Sequence, residues 1–226
     1  VDIWVHAVSM GEVVAAKTLV EHWLKGGSRV LITTMTPTGS TQVMRLFGAR
    51  VLHQYVPYDF PLLVRRFFKL YTPKQGVIME TEIWPNLISE ASRQGVKLYL
   101  ANGRISDKAF PAYQKVRWFF KPLFKYFSGI FTQSEQDKQR FCMLGAPENI
   151  VSVLGNMKSD LQVSADVSTS LKHLKDAWGS ARPVLIAAST HEGEEEALLK
   201  AFSALQSKIP NIVMLIAPRH PERFDA

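Results

Sequence analysis

The residues best suited to chemistry stand just after short apolar runs. Ser9, Gly11 and Glu12 follow the run at residues 3–7, and Thr34, Thr36, Thr38 and Gly39 follow the next. Tyr58 and Asp59, then Glu80, Thr81 and Glu82, then Asn102, Gly103 and Arg104 stand in the same relation to later runs. Ser134 and Glu135, and finally Gly155, Asn156 and Lys158, complete the series. A hydroxyl, a carboxylate and a Gly in one turn suit a proton-transfer site where backbone and substrate approach closely. Ser9-Met10-Gly11-Glu12 also has capping-box spacing, in which Ser caps a helix and Glu reaches back to the capping amide. The two roles compete for Glu12, because a carboxylate tied to its own turn is held away from substrate. The expectation adopted is that Glu12 faces a cleft and is not folded back, ionised beside the helix dipole and so a weaker base. Glu80 and Glu82 are two apart, so an extended chain points them to one side.

Elements that alternate must position these groups. Strands are expected at residues 3–7, 29–33, 51–55, 76–79, 97–101, 129–132 and 151–154. Amphipathic helices are expected at 12–25, 39–47, 61–70, 85–94, parts of 106–127, and 135–144. Short apolar strands separated by helices imply βαβ units and a parallel sheet. In such a sheet the loops after the strands share one edge, where α/β folds bind ligands. From Gly155 to Arg182 the chain turns polar, and a second βαβ unit follows, with strands at 183–188 and 211–217 around a helix at 192–206. One such unit of about 45 residues closes no core alone, so it is read as the start of a second domain. The expected division is 1–160, a linker with a short helix at 161–182, and 183–226.

The second unit repeats the pattern of polar strand ends. Ser189-Thr190-His191-Glu192 has capping-box spacing and a helix N-terminus suited to an anion. Pro218, Arg219 and His220 follow the next strand, and Arg is a natural phosphate partner. No spacing of His, Asp or Cys suggests a metal centre, and neither a Gly-x-Gly-x-x-Gly nor a Walker pattern occurs.

Composition limits the rest. The 226 residues are 46% hydrophobic and 21% charged, with net charge +7 and one Cys. That excludes a disordered or fibrous chain and any internal disulfide. The charge points to anionic partners. Two stretches, 62–69 and 113–127, interleave Lys and Arg with Phe, Trp, Tyr and Leu. Such a surface suits the headgroup region of an anionic membrane. No apolar run reaches the ~20 residues of a membrane span. Val1 is not an initiator Met, so an upstream segment is expected, with room in it for an anchor.

Six motifs, in order, then carry a resemblance: Trp4-Val5-His6-Ala7 with Ser9 and Gly11-Glu12; Glu80-Thr81-Glu82-Ile83-Trp84-Pro85-Asn86; Ala101-Asn102-Gly103-Arg104-Ile105-Ser106; Gly155-Asn156 with Lys158 and Asp160; Ser189-Thr190-His191-Glu192-Gly193-Glu194; and Ala217-Pro218-Arg219-His220-Pro221-Glu222-Arg223-Phe224. The chain resembles the 3-deoxy-D-manno-octulosonic acid (Kdo) transferases of lipopolysaccharide synthesis. The resemblance implies an α/β chain of the two-lobed GT-B glycosyltransferase fold, each lobe Rossmann-like, with the second lobe incomplete. It implies inverting transfer of Kdo from CMP-Kdo to the lipid A precursor lipid IVA. Glu12 is then the base, with Glu82 and Lys158 stabilising the transition state. Pro218, Arg219, His220, Ser189 and Thr190 would hold CMP-Kdo, and Ser9, Gly11, Thr38, Asn102 and Arg104 would lie on the acceptor side. No cofactor, no divalent ion and no nucleic-acid partner are expected. The expected location is the cytoplasmic face of the Gram-negative inner membrane. A GT-B enzyme using another nucleotide sugar, and a non-catalytic polyanion-binding module, remain the alternatives.

Overall fold

The computed structural model describes residues 1–160, 165–179, 182–220 and 223. It divides into two compact units, Val1–Leu161 and Gln162–Ala226. Parts of the expected linker (161–164 and 180–181) and Pro221, Glu222 and Phe224 of the last motif lie outside the described residues.

The first unit is a parallel α/β sheet. Its strands are β1 (Ile3–His6), β2 (Val30–Thr34), β3 (Leu52–Tyr55), β4 (Gln75–Met79), β5 (Lys97–Gly103), β6 (Phe127–Thr132) and β7 (Val151–Val153), in the order β3-β2-β1-β4-β5-β6-β7. Each falls on an expected run, and all pair in parallel. Between β1 and β4 run α1 (Met10–Ala15), α2 (Lys17–Lys25), α3 (Pro37–Phe47) and α4 (Pro61–Tyr71). After β4 come α5 (Pro85–Arg93), α6 (Phe110–Lys115), α7 (Arg117–Phe120) and α8 (Glu135–Leu144). The single helix expected at 12–25 is two. At Ala16, ψ opens to −10°, and α2 restarts there with no side-chain cap.

Side-chain alternation along the strands builds two cores. On one face Trp4, Leu31, Ile78, Leu98, Leu100 and Ile130 meet α4, α5 and α8. On the other, Ile3, Val5, Ile32, Val77 and Met79 meet α1, α2 and α3. Trp4 is fully buried with its rings edge-on to Phe67 and Phe68, and its indole N–H donates to the Thr33 hydroxyl at 2.9 Å. Gly76 makes room for that ring: a Cβ there would lie 2.7 Å from Trp4 Cε3 and 2.8 Å from Leu98 Cδ2.

In the second unit, α9 (Ala165–Trp178) precedes β8 (Val184–Thr190), α10 (Glu194–Gln206) and β9 (Val213–Pro218). β8 and β9 form their own two-stranded parallel sheet, in register from Val184 with Val213 to Ala188 with Ala217.

Candidate functional site

Because all seven strands of the first unit are parallel, their C-terminal ends share one edge, and the polar turns collect there. α1 starts at that edge with a complete capping box. Glu12 Oε2 accepts from the Val8 N–H at 2.8 Å. Oε1 accepts from the Ser9 hydroxyl at 2.8 Å and the Ser9 N–H at 3.3 Å. The expectation that Glu12 stands free of its own helix is therefore wrong. Three donors of the turn lie within reach, and the side chain is only 5% exposed. The expected weakening of the base is reversed too. Burial pushes the Glu12 carboxyl above the ordinary Glu value, against the opposing bonds from Ser9 and Val8. The nearby carboxylates Glu82 and Glu80 push it further the same way.

That repulsion places three carboxylates within electrostatic reach of one another. Glu80 has φ 55°, a left-handed conformation that costs a non-Gly residue energy. It turns the chain sharply at the end of β4, so Glu80 and Glu82 do not share one side of an extended strand. Glu80 pairs with Lys158, Nζ to Oε1 at 3.3 Å, whereas Glu82 accepts from the Trp84 indole N–H at 2.8 Å. Lys158 Nζ also lies 3.7 Å from where a Cβ on Gly11 would sit, which sets the ammonium over the first turn of α1. The loop carrying Lys158 is pinned by Asn102, whose Oδ1 accepts from the Met157 N–H at 3.0 Å. Asn102 is buried and left-handed, with φ 58°. It holds the Lys158 loop and is not open to solvent, contrary to a place on the acceptor face.

The other acceptor-side residues spread along the same edge. Thr36 caps α3 through the Gly39 N–H at 3.1 Å and donates to the Val8 carbonyl at 3.2 Å, which ties α3 to the turn before Ser9. Thr38 is exposed in the first turn of α3 and donates to Thr36 at 3.3 Å. Glu80, Thr81, Glu82, Arg104, Ser106 and Tyr113 line a cup of about 250 Å³. Arg104 is exposed there, and its carbonyl accepts from the Thr81 hydroxyl. Burial, together with Glu82, raises the Tyr113 phenol. Lys158 thus pairs with Glu80, and Arg104 lines the cup with Glu80 and Glu82. Asp59, by contrast, is structural. Its carboxylate accepts from the Leu87 N–H at 2.7 Å and the Asn86 N–H at 3.1 Å, capping α5 from outside the helix.

Glu80, Trp84 and Tyr113 had no role assigned from sequence. Glu80 is singled out in the sequence by its place at a strand end. Its conformation and partner are not.

In the second unit the Ser189–Glu192 box does not form. Ser189 is left-handed, with φ 60°. α10 begins beyond Gly193, and Glu194 Oε2 takes the His191 N–H at 2.7 Å. The first turn of α10 carries Glu194, Glu195 and Glu196, so its free amides do not offer the simple anion cup expected. Thr190 is buried and accepts the Arg219 N–H at its carbonyl, 3.0 Å, which aligns the end of β9 with that of β8. Pro218 is half-buried, while Arg219 and His220 are exposed. Arg223 grips Glu195 with both terminal nitrogens, at 3.1 and 3.2 Å. Among the described residues no group of three or more His, Cys, Asp or Glu is arranged to hold a metal ion.

Residues 1–161, the whole first unit, match the family 3-Deoxy-D-manno-octulosonic-acid transferase (kdotransferase). The chain belongs to this family. It is 39% identical over 225 residues to the 3-deoxy-D-manno-octulosonic acid transferase of Haemophilus influenzae, covering 99% of this chain and 53% of that one. To the enzyme of the same name from Bordetella pertussis it is 39% identical over 236 residues, again covering 99% and 53%. The chain therefore spans about half the length of the curated relatives it matches. Among solved structures it is similar to a UDP-GlcNAc 2-epimerase from Neisseria meningitidis, with TM-score 0.64 and 15% identity, covering 96% of this chain and 65% of that one. A glycosyltransferase from Rickettsia africae gives TM-score 0.53 at 13% identity, covering 96% and 68%. These likenesses show the fold, which is of the GT-B type.

Proposed function

We propose that this chain supplies the acceptor-side lobe, and part of the donor side, of an inverting glycosyltransferase that moves Kdo from CMP-Kdo to lipid IVA in lipopolysaccharide synthesis. The observation that carries the proposal is the convergence of Glu12, Glu80, Glu82 and Lys158 at one sheet edge in a chain of the Kdo transferase family. Glu12 takes the proton from the attacking acceptor hydroxyl. Its burial raises its basicity, and its turn fixes its position. The acceptor oxygen attacks the anomeric carbon from the face opposite CMP, and the bond from that carbon to the phosphate oxygen breaks as the new one forms. CMP leaves as a phosphate monoester anion, and a cation such as Lys158 opposes its charge. Glu80 holds the Lys158 ammonium in place. Glu82, fixed by Trp84, balances positive charge that develops on the sugar. Arg104 and Thr38 are the acceptor-side contacts, and Pro218, Arg219, His220, Ser189 and Thr190 take the nucleotide sugar.

A membrane-borne acceptor suits the outer surface of α4, α6 and α7. There Phe60, Leu62 (76% exposed), Leu70 and Trp118 (75% exposed) stand beside Arg65, Arg66, Lys69, Lys115 and Arg117. Phe67, Phe68 and Phe124 of the same stretches are buried. We assign this surface to an anionic membrane at the cytoplasmic face of the inner membrane. Among the described residues no helix is long and apolar enough to cross a membrane.

The test is transfer by the full-length protein containing this sequence, with lipid IVA as acceptor and labelled Kdo generated as CMP-Kdo. The expected result is labelled lipid, inhibition by CMP and none by UDP. Inhibition by UDP with no transfer from CMP-Kdo assigns the fold to another nucleotide sugar. Tight, salt-sensitive binding of nucleic acid without transfer points to the polyanion module instead.

A further inference from the structure

His6 carries a polar atom that the core leaves without a partner. The side chain is fully buried, and among the described residues its Nε2 meets no nitrogen or oxygen within hydrogen-bond reach. A buried polar atom left unpaired is costly, so the place of the ring proton matters. The other ring nitrogen, Nδ1, lies 3.0 Å from the Thr33 hydroxyl. That hydroxyl already accepts the Trp4 indole N–H at 2.9 Å. Its single proton can go to His6 Nδ1 or to the Val5 carbonyl, 3.4 Å away. The shorter contact takes it. Nδ1 is then the acceptor, and in a neutral imidazole the proton sits on Nε2. Burial keeps the ring neutral down to about 4.

Two indoles flank that ring. Trp4 lies nearly parallel to it, with 25° between the planes and 6.0 Å between centroids. Trp84 stands almost perpendicular, at 81° and 5.6 Å. An N–H lies in the plane of its own ring. A stacked neighbour cannot receive it, whereas a perpendicular one can, on its π face. The Trp84 indole N–H in turn donates to Glu82 Oε2 at 2.8 Å. Trp84 stands at the start of α5 and gives that helix no side-chain cap, so its one side-chain donor serves Glu82.

We propose that His6 is a positioning residue for Glu82. Its Nε2–H rests on the Trp84 ring, fixes the angle of the indole, and so holds the Trp84 N–H on the carboxylate. The contacts form one chain from the core to the sheet edge: Trp4 to Thr33, Thr33 to His6, His6 to Trp84, and Trp84 to Glu82. Trp4 and His6 are two apart on β1 and share a face, so a single strand delivers both. The catalytic consequence rests on Glu82 acting at the reacting sugar, as proposed above.

Nitrogen NMR of the imidazoles in the full-length protein reads the contact directly. At neutral pH the signal lost in His6→Gln is expected to show a protonated Nε2, its proton shifted upfield by the Trp84 ring. An unprotonated Nε2 overturns the proposal. Kinetics read the consequence. Gln carries an N–H where His has Nε2, whereas Asn and Phe do not. Kdo transfer by His6→Asn and His6→Phe is expected to fall about tenfold in kcat with KM unchanged, and His6→Gln to keep most of the wild-type rate. In a Trp84→Phe background, which lacks the indole N–H, the His6 substitutions should cost nothing further. A Phe variant as active as the Gln variant makes His6 a packing residue and overturns the proposal, as does a full additional loss in Trp84→Phe. A wild-type protein that transfers no Kdo refutes the role of Glu82 instead, and the imidazole spectrum then judges the contact alone.

Discussion

Replacing Glu12 by Gln separates a cap from a base, because the two roles predict opposite balances of stability and rate. Glu12 accepts from the Val8 N–H, the Ser9 N–H and the Ser9 hydroxyl. A Gln carbonyl oxygen can keep the two Ser9 donors. Its NH2 then faces the Val8 N–H, which loses its acceptor at a cost of about 1–3 kcal/mol. Against this, the substitution removes a carboxylate that burial and two neighbouring carboxylates disfavour. The two effects act in opposite directions. The folded state is expected to change by no more than ~2 kcal/mol, a shift of roughly 4–8 °C in melting temperature for a unit of this size. Turnover loses its proton acceptor. A positioned general base contributes roughly 10²–10⁴-fold, about 2.7–5.5 kcal/mol of barrier. The assay is initial-rate Kdo transfer by the full-length protein at saturating donor, beside thermal melts of the same preparations. A Gln variant that keeps more than ~10% of wild-type turnover would show Glu12 to be a cap alone, and the proton-transfer step would have to be moved elsewhere.

The ionised carboxylate is the active form of the base, and burial raises the Glu12 carboxyl. Turnover should therefore fall as pH drops through a value above that of an ordinary Glu, and rate profiles of the Gln variant should lack that acid limb. His6 is fully buried between Trp4 and Trp84, and burial holds its imidazole neutral, down to about 4. Because the folded value lies below the unfolded one, stability present above about pH 6.5 is lost as pH falls toward 4, by roughly 3 kcal/mol in all. Urea midpoints at pH 7.5, 6 and 4.5 measure it, and His6→Gln should flatten that part of the curve. Asp59→Ala removes the outside cap from α5, whose own capping position, Trp84, supplies no side-chain bond. Chemical denaturation should show a loss of about 1–3 kcal/mol, with Glu82 displaced as the start of α5 frays.

The strands were legible because each is a short β-branched or apolar run closed by a polar turn, and such runs have few other uses in a globular α/β chain. Seven were read to within two residues at each end. Sheet order was not legible, since it depends on where the chain crosses back from β3 to β4. The polar strand ends were found from position alone. Their pairings were not. Lys158 and Glu80 are 78 residues apart, and the left-handed turn at Glu80 that aims its carboxylate is set by tertiary packing, not by local preference. Asn102 looked like a cleft residue because amides at strand ends often are, yet its burial and its bond to Met157 make it a pin for the neighbouring loop. The Ser189–Glu192 spacing misled for a simpler reason. Gly193 allows a left-handed start, so the helix begins two residues later and Glu194 does the reaching back.

Glu12 shows why the choice between cap and base was posed too sharply. A carboxylate offers about four lone-pair positions. The turn uses three: two at Oε1, from the Ser9 N–H and hydroxyl, and one at Oε2, from the Val8 N–H. One remains on Oε2 to accept a proton. Burial raises the carboxyl and the bonds from the Ser9 hydroxyl and the Val8 N–H lower it, and burial prevails, so the tied group is a stronger base than a free Glu at the surface. Tying it also removes the rotamer freedom that an unrestrained side chain would lose on reaching the transition state. The capping box is then the device that holds the base. A variant that breaks the box but keeps the carboxylate, Ser9→Ala, should lower turnover while leaving the acid limb of the rate profile in place. Loss of that limb in Ser9→Ala would separate the limb from Glu12 and undo the assignment.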